Sequence, residues 1–267
     1  MTQHTWREIL DDMADVGQRM WQIGAAEGAA GNMSVYMRDL DELDPRFPRG
    51  DEVDLPVVVP ALAGGWLAVS RSGRRIRNIG RAPAQSMCLL HIHGDGARAT
   101  LHGVGGARPT SELNSHLAVH DDHVGRRELH CHAVLHAQPL RLTFLSHIDA
   151  YGDTQTLNRR LLRWQPETMI EFPEGIGVLP FEMHGSPEQM AATAAGLRGH
   201  RAVLWRRHGI VTRDDASIGK AGDLVEYAEA AARYEYLNLQ SGSPSTGLSD
   251  QELRLIAGRL GIDQHFF

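Results

Sequence analysis

The chain has 267 residues, of which 42% are apolar and 22% charged, and its net charge is -6. These values are typical of a globular protein, and the acidic balance argues against a general nucleic-acid binder, which needs a basic excess. Two cysteines cannot form a disulfide framework, residues 1–8 lack the apolar core of a signal peptide, and the longest apolar stretch (57–69) is too short and too broken to span a membrane. We therefore expect a cytoplasmic protein with no nucleic-acid or membrane partner.

The first half of the chain predicts one helix followed mainly by strands. Thr5 and Glu8 form a capping-box pattern, and apolar residues at helical spacing follow it. Alternation over 33–37 predicts a half-buried strand. Residues 39–65, rich in Asp, Pro and Gly, predict a long loop or insertion. Strands are expected near 66–70, 86–93 and 97–102, the last two joined by a turn at Gly94-Asp95-Gly96.

The second half mixes helices and strands. A helix is expected after Thr110, and apolar spacing predicts a long helix over 218–236, while Ser249 with Glu252 caps a final one. Further strands are expected at 127–134, 167–172, 176–180 and 201–206, with helices around 136–163 and 187–198. With no repeat or linker, the pattern predicts one α/β domain over 1–267, a mixed sheet covered by helices on both faces.

Histidine pairs are the clearest candidates for metal ligands. In His130-Cys131-His132 both imidazoles point to one face of the predicted strand, where they could bind one metal ion. Two further pairs, His91 with His93 and His116 with His120, have spacings that could also share a metal, and spacing does not choose among the three. His208, at the end of an apolar strand, is a candidate third ligand.

Three short segments rich in glycine and hydroxyl groups predict anion binding. They are Gly31-Asn32-Met33-Ser34, Ser72-Gly73-Arg74 and Pro109-Thr110-Ser111, each of which begins or ends a regular element. Backbone amides and hydroxyls at such turns bind phosphate, although helix capping is an alternative for the first and third. Glu112, which directly follows the third segment, is either an acid–base group or an ordinary first-turn acid.

In their order along the chain, these residues resemble the metal-dependent class II sugar-phosphate aldolases of the fuculose/rhamnulose type. Pro109-Thr110-Ser111-Glu112-Leu113 with His116 resembles the block of the catalytic glutamate, and His130-Cys131-His132-Ala133 resembles the paired metal histidines. Residues 172–180 and 203–209 resemble the later half, with the third histidine at His208. Departures from the family pattern are Ala29 and Ala30, where an asparagine and a glycine are usual, and Arg74 in place of a lysine.

The resemblance implies a three-layer α/β/α sandwich around a mixed, mainly antiparallel sheet, assembled as a homotetramer. It implies one Zn²⁺ per subunit and cleavage of a ketose 1-phosphate of the rhamnulose type to dihydroxyacetone phosphate and L-lactaldehyde through a zinc-stabilised enediolate. Alternatives on the same fold are a pentulose-phosphate epimerase, a sugar-phosphate dehydratase and a non-catalytic adducin-like interaction domain. The implied site residues are His130, His132 and His208 for zinc, Glu112 and Glu167 (the latter from a neighbouring subunit) for catalysis, and Gly31, Asn32, Ser72, Gly73, Thr110 and Ser111 for the substrate phosphate.

Overall fold

A computed structural model describes residues 5–267, and its centre is one sheet of nine strands. The strand order is β2-β5-β4-β3-β1-β6-β9-β8-β7, and every neighbouring pair is antiparallel except β7 and β8. The expected mixed, mainly antiparallel sheet is thus confirmed. The strands are β1 (Asn32–Met37), β2 (Arg49–Asp54), β3 (Trp66–Ser70), β4 (Met87–Ile92), β5 (Arg98–His102), β6 (Cys131–Ala137), β7 (Ile176–Leu179), β8 (Ala202–Trp205) and β9 (Gly209–Asp214).

Helices cover both faces of this sheet, which gives the expected three layers. The helices are α1 (Trp6–Gln22), α2 (Pro83–Ser86), α3 (Leu113–Arg127), α4 (Leu140–Leu145), α5 (Thr154–Leu161), α6 (Pro166–Glu171), α7 (Pro187–Gly199), α8 (Ile218–Gln240) and α9 (Asp250–Leu260). On one face α1 packs against α8, and on the other α3 packs against α7. One continuous sheet accords with a single domain over 1–267, which stays a prediction.

Strand β6 shows how alternation divides the two faces. Ala133, Leu135 and Ala137 point into the large core shared with α1 and α8. Val134 belongs to a separate apolar cluster with residues of α3 and α7. Because His132 and His136 alternate with the first set, they point to the same side as Val134. Two buried histidines on one strand therefore face α3.

Helix ends follow the signals in the sequence. Thr5 and Glu8 form a complete capping box at α1, and Ser249 and Glu252 form another at α9, as predicted. Each box satisfies backbone N–H groups that the first helical turn would otherwise leave unpaired. The helices predicted around 136–163 are α4, which begins after Pro139, and α5, which Asp153 caps, whereas His136 and Ala137 belong to β6 instead.

Three other predictions of secondary structure were wrong. The supposed loop 39–65 contains β2, an exposed edge strand that pairs with β5. The supposed strand 167–172 is α6, because Pro166 begins a helical turn and Thr168 Oγ1 donates to the carbonyl of Gln165. The strand expected at 127–134 runs from Cys131 to Ala137 instead, and β9 was not predicted at all.

Within residues 5–267, no helix is both long and apolar enough to cross a bilayer. Cys88 and Cys131 are both free thiols. The segment examined for a signal peptide includes Met1–His4, which lie outside the described residues.

Candidate active site

An open cavity of about 270 Å³ lies where β1, β3 and β6 end or begin beside the start of α3. Its walls come from segments that are far apart in the sequence, and they include all three of the predicted anion-binding turns. The lining residues are Ala29, Ala30, Gly31, Asn32, Arg71, Ser72, Gly73, Thr110, Ser111, Glu112, His136, Gln138, His184 and His208.

Three of these side chains can share a metal ion. One ligand atom each from Glu112, His136 and His208 lies within 4.8 Å of the other two. His208 Nε2 is 3.7 Å from Glu112 Oε1, and His136 Nε2 is 3.9 Å from Glu112 Oε2. Two imidazoles and a carboxylate are a typical donor set for catalytic zinc, and the open cavity leaves room for a further ligand. The residues present therefore fit a divalent metal.

The backbone fixes how His136 presents its ring. His136 Nδ1 lies 3.0 Å from the carbonyl oxygen of Ile210, which can only accept, so Nδ1 donates a hydrogen bond to it and Nε2 faces Glu112. Such an outer hydrogen bond is the usual way to orient a metal-binding histidine. The contact needs Gly209, because a β-carbon there would lie 2.4 Å from the Ala137 carbonyl oxygen and 2.9 Å from His136 Cε1.

His208 is positioned by an unusual turn between β8 and β9. The preceding residue, Arg207, has a φ of 64°, a conformation that costs energy in any residue with a side chain. Its amide donates to Ser146 Oγ at 2.8 Å, which holds the turn. Burial, with His136 nearby, lowers the pKa of His208 to about 4. The ring is therefore neutral near pH 7 and can act as a ligand.

Glu112 lies just before α3 and is 4% exposed. Asn32 Nδ2 donates to its Oε2 at 2.8 Å. Burial alone would raise the pKa of Glu112, but His136, the Asn32 hydrogen bond and His208 outweigh burial and lower it below the ordinary value. The carboxylate is thus ionised, and it faces the two imidazoles that could share a cation with it.

The metal ligands expected from the His-x-His motif are not brought together. His130 is exposed, and His132 is fully buried beside His120 and His123, outside the cavity. The histidine of β6 that lines the cavity is His136, four residues after His132 and about 13 Å further along the strand at the usual rise. The physical reason is the register of β6, which pairs His136 with Asn32, the residue that contacts Glu112.

Of the other predicted site residues, six line the cavity and Glu167 does not. All six residues expected to bind phosphate line the same cavity as Glu112 and His208: Gly31, Asn32, Ser72, Gly73, Thr110 and Ser111. Glu167 is exposed on α6 and does not line it, so its role stays a prediction. Sequence reasoning missed His136, Gln138, His184 and Arg71; of these, only the spacing of His136 and Gln138 on a strand offered a signal.

A row of buried polar side chains extends from Glu112 into the protein. Each neighbour in the row lies within 2.8 Å of the next: Asn32 Oδ1 and His116 Nε2 (2.5 Å), His116 Nδ1 and Ser34 Oγ (2.6 Å), Ser34 Oγ and His120 Nε2 (2.7 Å), His120 Nδ1 and His132 Nδ1 (2.8 Å). Burial lowers the pKa of His116 to about 4 and that of His120 well below 6.5. These imidazoles are neutral in the folded protein.

This row predicts acid sensitivity. An unfolded imidazole titrates near 6.5, so from about pH 6.5 down to pH 4 the unfolded chain binds protons that the folded chain does not. Stability must then fall as the pH falls, by about 1.4 kcal/mol per pH unit for each imidazole. Because an unfolded imidazole is only half protonated at pH 6.5, we expect a loss of about 3 kcal/mol for His116 and His120 together between pH 6.5 and 5. Urea unfolding of chelator-treated protein at the two pH values measures it, and equal stabilities would contradict it.

Comparison with known proteins places this fold and cavity in a family. The family model "Class II Aldolase and Adducin N-terminal domain" matches residues 11–236. The rhamnulose-1-phosphate aldolase of Listeria welshimeri is 32% identical, over 95% of this chain and 92% of that protein. The corresponding enzyme of Pectobacterium carotovorum is 30% identical, over 95% and 94%.

A solved structure gives the same result. The sugar-phosphate aldolase from Thermotoga maritima superposes with a TM-score of 0.75 at 30% identity, over 90% of this chain and 99% of that one. The chain therefore belongs to the class II aldolase and adducin family. Within that family it is a metal-dependent aldolase, a lyase of carbon–carbon bonds.

Proposed function

We propose that this enzyme cleaves L-rhamnulose 1-phosphate, or a close ketose 1-phosphate, to dihydroxyacetone phosphate and L-lactaldehyde. The observation that carries the proposal is the shared cavity, in which three anion-binding turns adjoin Glu112, His136 and His208. A site that only activated water would have no use for three such turns. The relatives named as rhamnulose-1-phosphate aldolases support the choice of sugar.

We propose Zn²⁺ as the metal, held by Glu112, His136 and His208, one ion per subunit at this site. When bound, the metal supplies Lewis-acid stabilisation of the negative charge that develops on the ketone fragment. Gln138 lies two residues after His136 and lines the same cavity, so its amide oxygen is available as a further donor. Two nitrogen donors with carboxylate and amide oxygens suit zinc, and they also suit other first-row divalent ions.

Side chains of the cavity supply the acid–base group and the contacts to the substrate phosphate. Glu112 is the buried base: it takes the proton at the carbon that becomes the carbanion in the condensation direction and returns it in cleavage. Asn32 holds the Glu112 carboxylate through the 2.8 Å hydrogen bond. Ser72, Thr110 and Ser111 offer hydroxyl groups to the phosphate, which binds away from the reacting bond and supplies energy for orientation.

Assembly and location belong to the same proposal. We propose a cytoplasmic homotetramer in which Glu167 acts on the cavity of a neighbouring copy. Its support is that Glu167 is exposed and lies outside the cavity of its own chain. Light scattering of the purified protein measures the number of copies.

Removal of the metal is expected to abolish cleavage. The protein is treated with a chelator, desalted, and assayed with phosphorylated and free ketoses before and after zinc is added back. We expect aldehyde release only with metal and fastest with L-rhamnulose 1-phosphate, because the anion-binding turns have no partner in a free ketose. Full activity of the metal-free protein would contradict the metal-dependent mechanism. A ketose product without free aldehyde would instead indicate an epimerase.

A further inference from the structure

A second group of side chains with metal-ligand chemistry lies outside the cavity. One ring nitrogen each from His123 and His132 and a carboxylate oxygen of Asp215 lie within 4.8 Å of one another. His123 is 1% exposed and His132 is fully buried, whereas Asp215 follows β9 and is about one-third exposed. Neither histidine takes part in the proposed reaction.

The proton positions in the buried row can be assigned from its outer end. Glu112 is ionised and can only accept, so Asn32 must turn its NH₂ group towards it and its carbonyl oxygen towards His116. His116 Nε2 must then donate to Asn32 Oδ1. Because burial keeps His116 neutral, its Nδ1 has no proton and accepts.

The same reasoning continues inwards. Ser34 must donate its hydroxyl proton to His116 Nδ1, so its oxygen accepts from His120 Nε2. Neutral His120 therefore accepts at Nδ1, and His132 Nδ1 must donate to it. With its proton on Nδ1, the uncharged form of the fully buried His132 has its lone pair at Nε2.

That lone pair faces other lone pairs. Among residues 5–267, His132 Nε2 has no hydrogen-bond partner, and it lies 3.9 Å from Asp215 Oδ1, which is itself an acceptor. Both ring nitrogens of the stacked His123 also lack a partner among these residues. An unsatisfied buried polar group costs about 1–3 kcal/mol, and acceptors that face one another repel. A cation placed among them would bind His132 Nε2, one ring nitrogen of His123 and the carboxylate of Asp215.

We propose that His123, His132 and Asp215 form a second divalent-metal site, with two imidazoles and a carboxylate of the kind that zinc binds. The row of hydrogen bonds from Glu112 is its outer support, because the Nδ1–H of His132 is bound to His120. Asp215 also accepts hydrogen bonds from Arg127 and Arg213, which hold its carboxylate in place.

The surroundings explain access and affinity. Asp215, Arg127 and Arg213 line an open cavity of about 310 Å³, through which an ion can reach the carboxylate. The guanidinium groups of Arg127 and Arg213 oppose a second cation, as do those of Arg198 and Arg201 in the same cavity, so this site should bind zinc more weakly than the cavity with Glu112. A chelator should therefore empty it first.

Metal content tests the proposal without an activity assay. Protein loaded with zinc alone and desalted is measured by atomic emission together with its Asp215→Asn variant, whose altered side chain is partly exposed and of equal size. We expect two zinc ions per wild-type chain and one per variant chain. Asp214→Asn, a neighbouring carboxylate in the same cavity, is the matched control and should keep two.

The outcomes separate this site from the first one. His136→Asn should remove the other zinc and keep the one at Asp215, and cobalt absorption spectra of the variants should show each site by itself. One zinc per wild-type chain that is lost in His136→Asn, or two zinc ions in Asp215→Asn, would overturn the second site and leave the proposed aldolase site untouched. Loss of zinc in His136→Asn alone would support only the first.

Discussion

The Glu112→Gln variant is expected to fold normally and to cleave its substrate about 10²–10⁴ times more slowly than the wild type, the usual contribution of a positioned acid–base group. Glutamine has the same shape and can still accept the hydrogen bond from Asn32, so the surroundings of this buried residue should change little. It cannot take a proton from carbon. Steady-state rates of aldehyde release measure the effect, together with the thermal unfolding and the zinc content of both proteins, because Glu112 is also a proposed metal donor and loss of zinc would slow cleavage by itself.

A matched control distinguishes the loss of the Glu112 base from the general loss of one negative charge. Glu188, in the first turn of α7, is exposed and outside the cavity, so Glu188→Gln should retain the wild-type rate. A wild-type rate for Glu112→Gln would remove Glu112 from its proposed role.

The second large effect concerns the histidines of β6. His136→Asn should release the metal from the cavity and lower activity more than about 100-fold, because loss of even an outer partner of a ligand can cost up to that much. His130→Ala should change neither, since His130 is exposed and outside the cavity. Metal content and cleavage rate, measured on the same preparations, decide between the two positions.

The reverse result would restore the assignment made from sequence. If His130→Ala lost metal and activity while His136→Asn kept both, the cavity described here would not be the catalytic centre. Circular dichroism of both variants serves as the control for folding, because His136 is buried and His130 is not.

Local signals in the sequence predicted the helix ends and most of the sheet. The two capping boxes were readable because each depends on residues three positions apart, and the hairpin of β4 and β5 because the Gly94-Asp95-Gly96 turn is a local signal. Helix α6 could not be predicted from such local signals. Its run of Thr, Met, Ile and Phe favours a strand, and only Pro166 at its start opposes that.

The site was half predictable. Glu112, His208 and the three anion-binding turns stand in an order typical of the family, and they do meet at one cavity. The pair on β6 was misplaced because His130-Cys131-His132 matches the expected motif, whereas the cavity has His136-Ala137-Gln138. The two metal-ligand positions are separated by one residue in both segments, so the sequence alone does not show which segment lines the cavity. That depends on the pairing register between β1 and β6.

Strand β2 is an edge strand of the sheet, and its sequence disfavours the addition of a strand from another chain. Its unpaired backbone edge would invite strand addition, but Asp51, Glu52 and Asp54 place negative charge along it and repel a like partner. Strand β2 thus opposes aggregation at this edge, and a shortened protein without it would expose β5, with its buried Ala99 and Thr100, to solvent in its place.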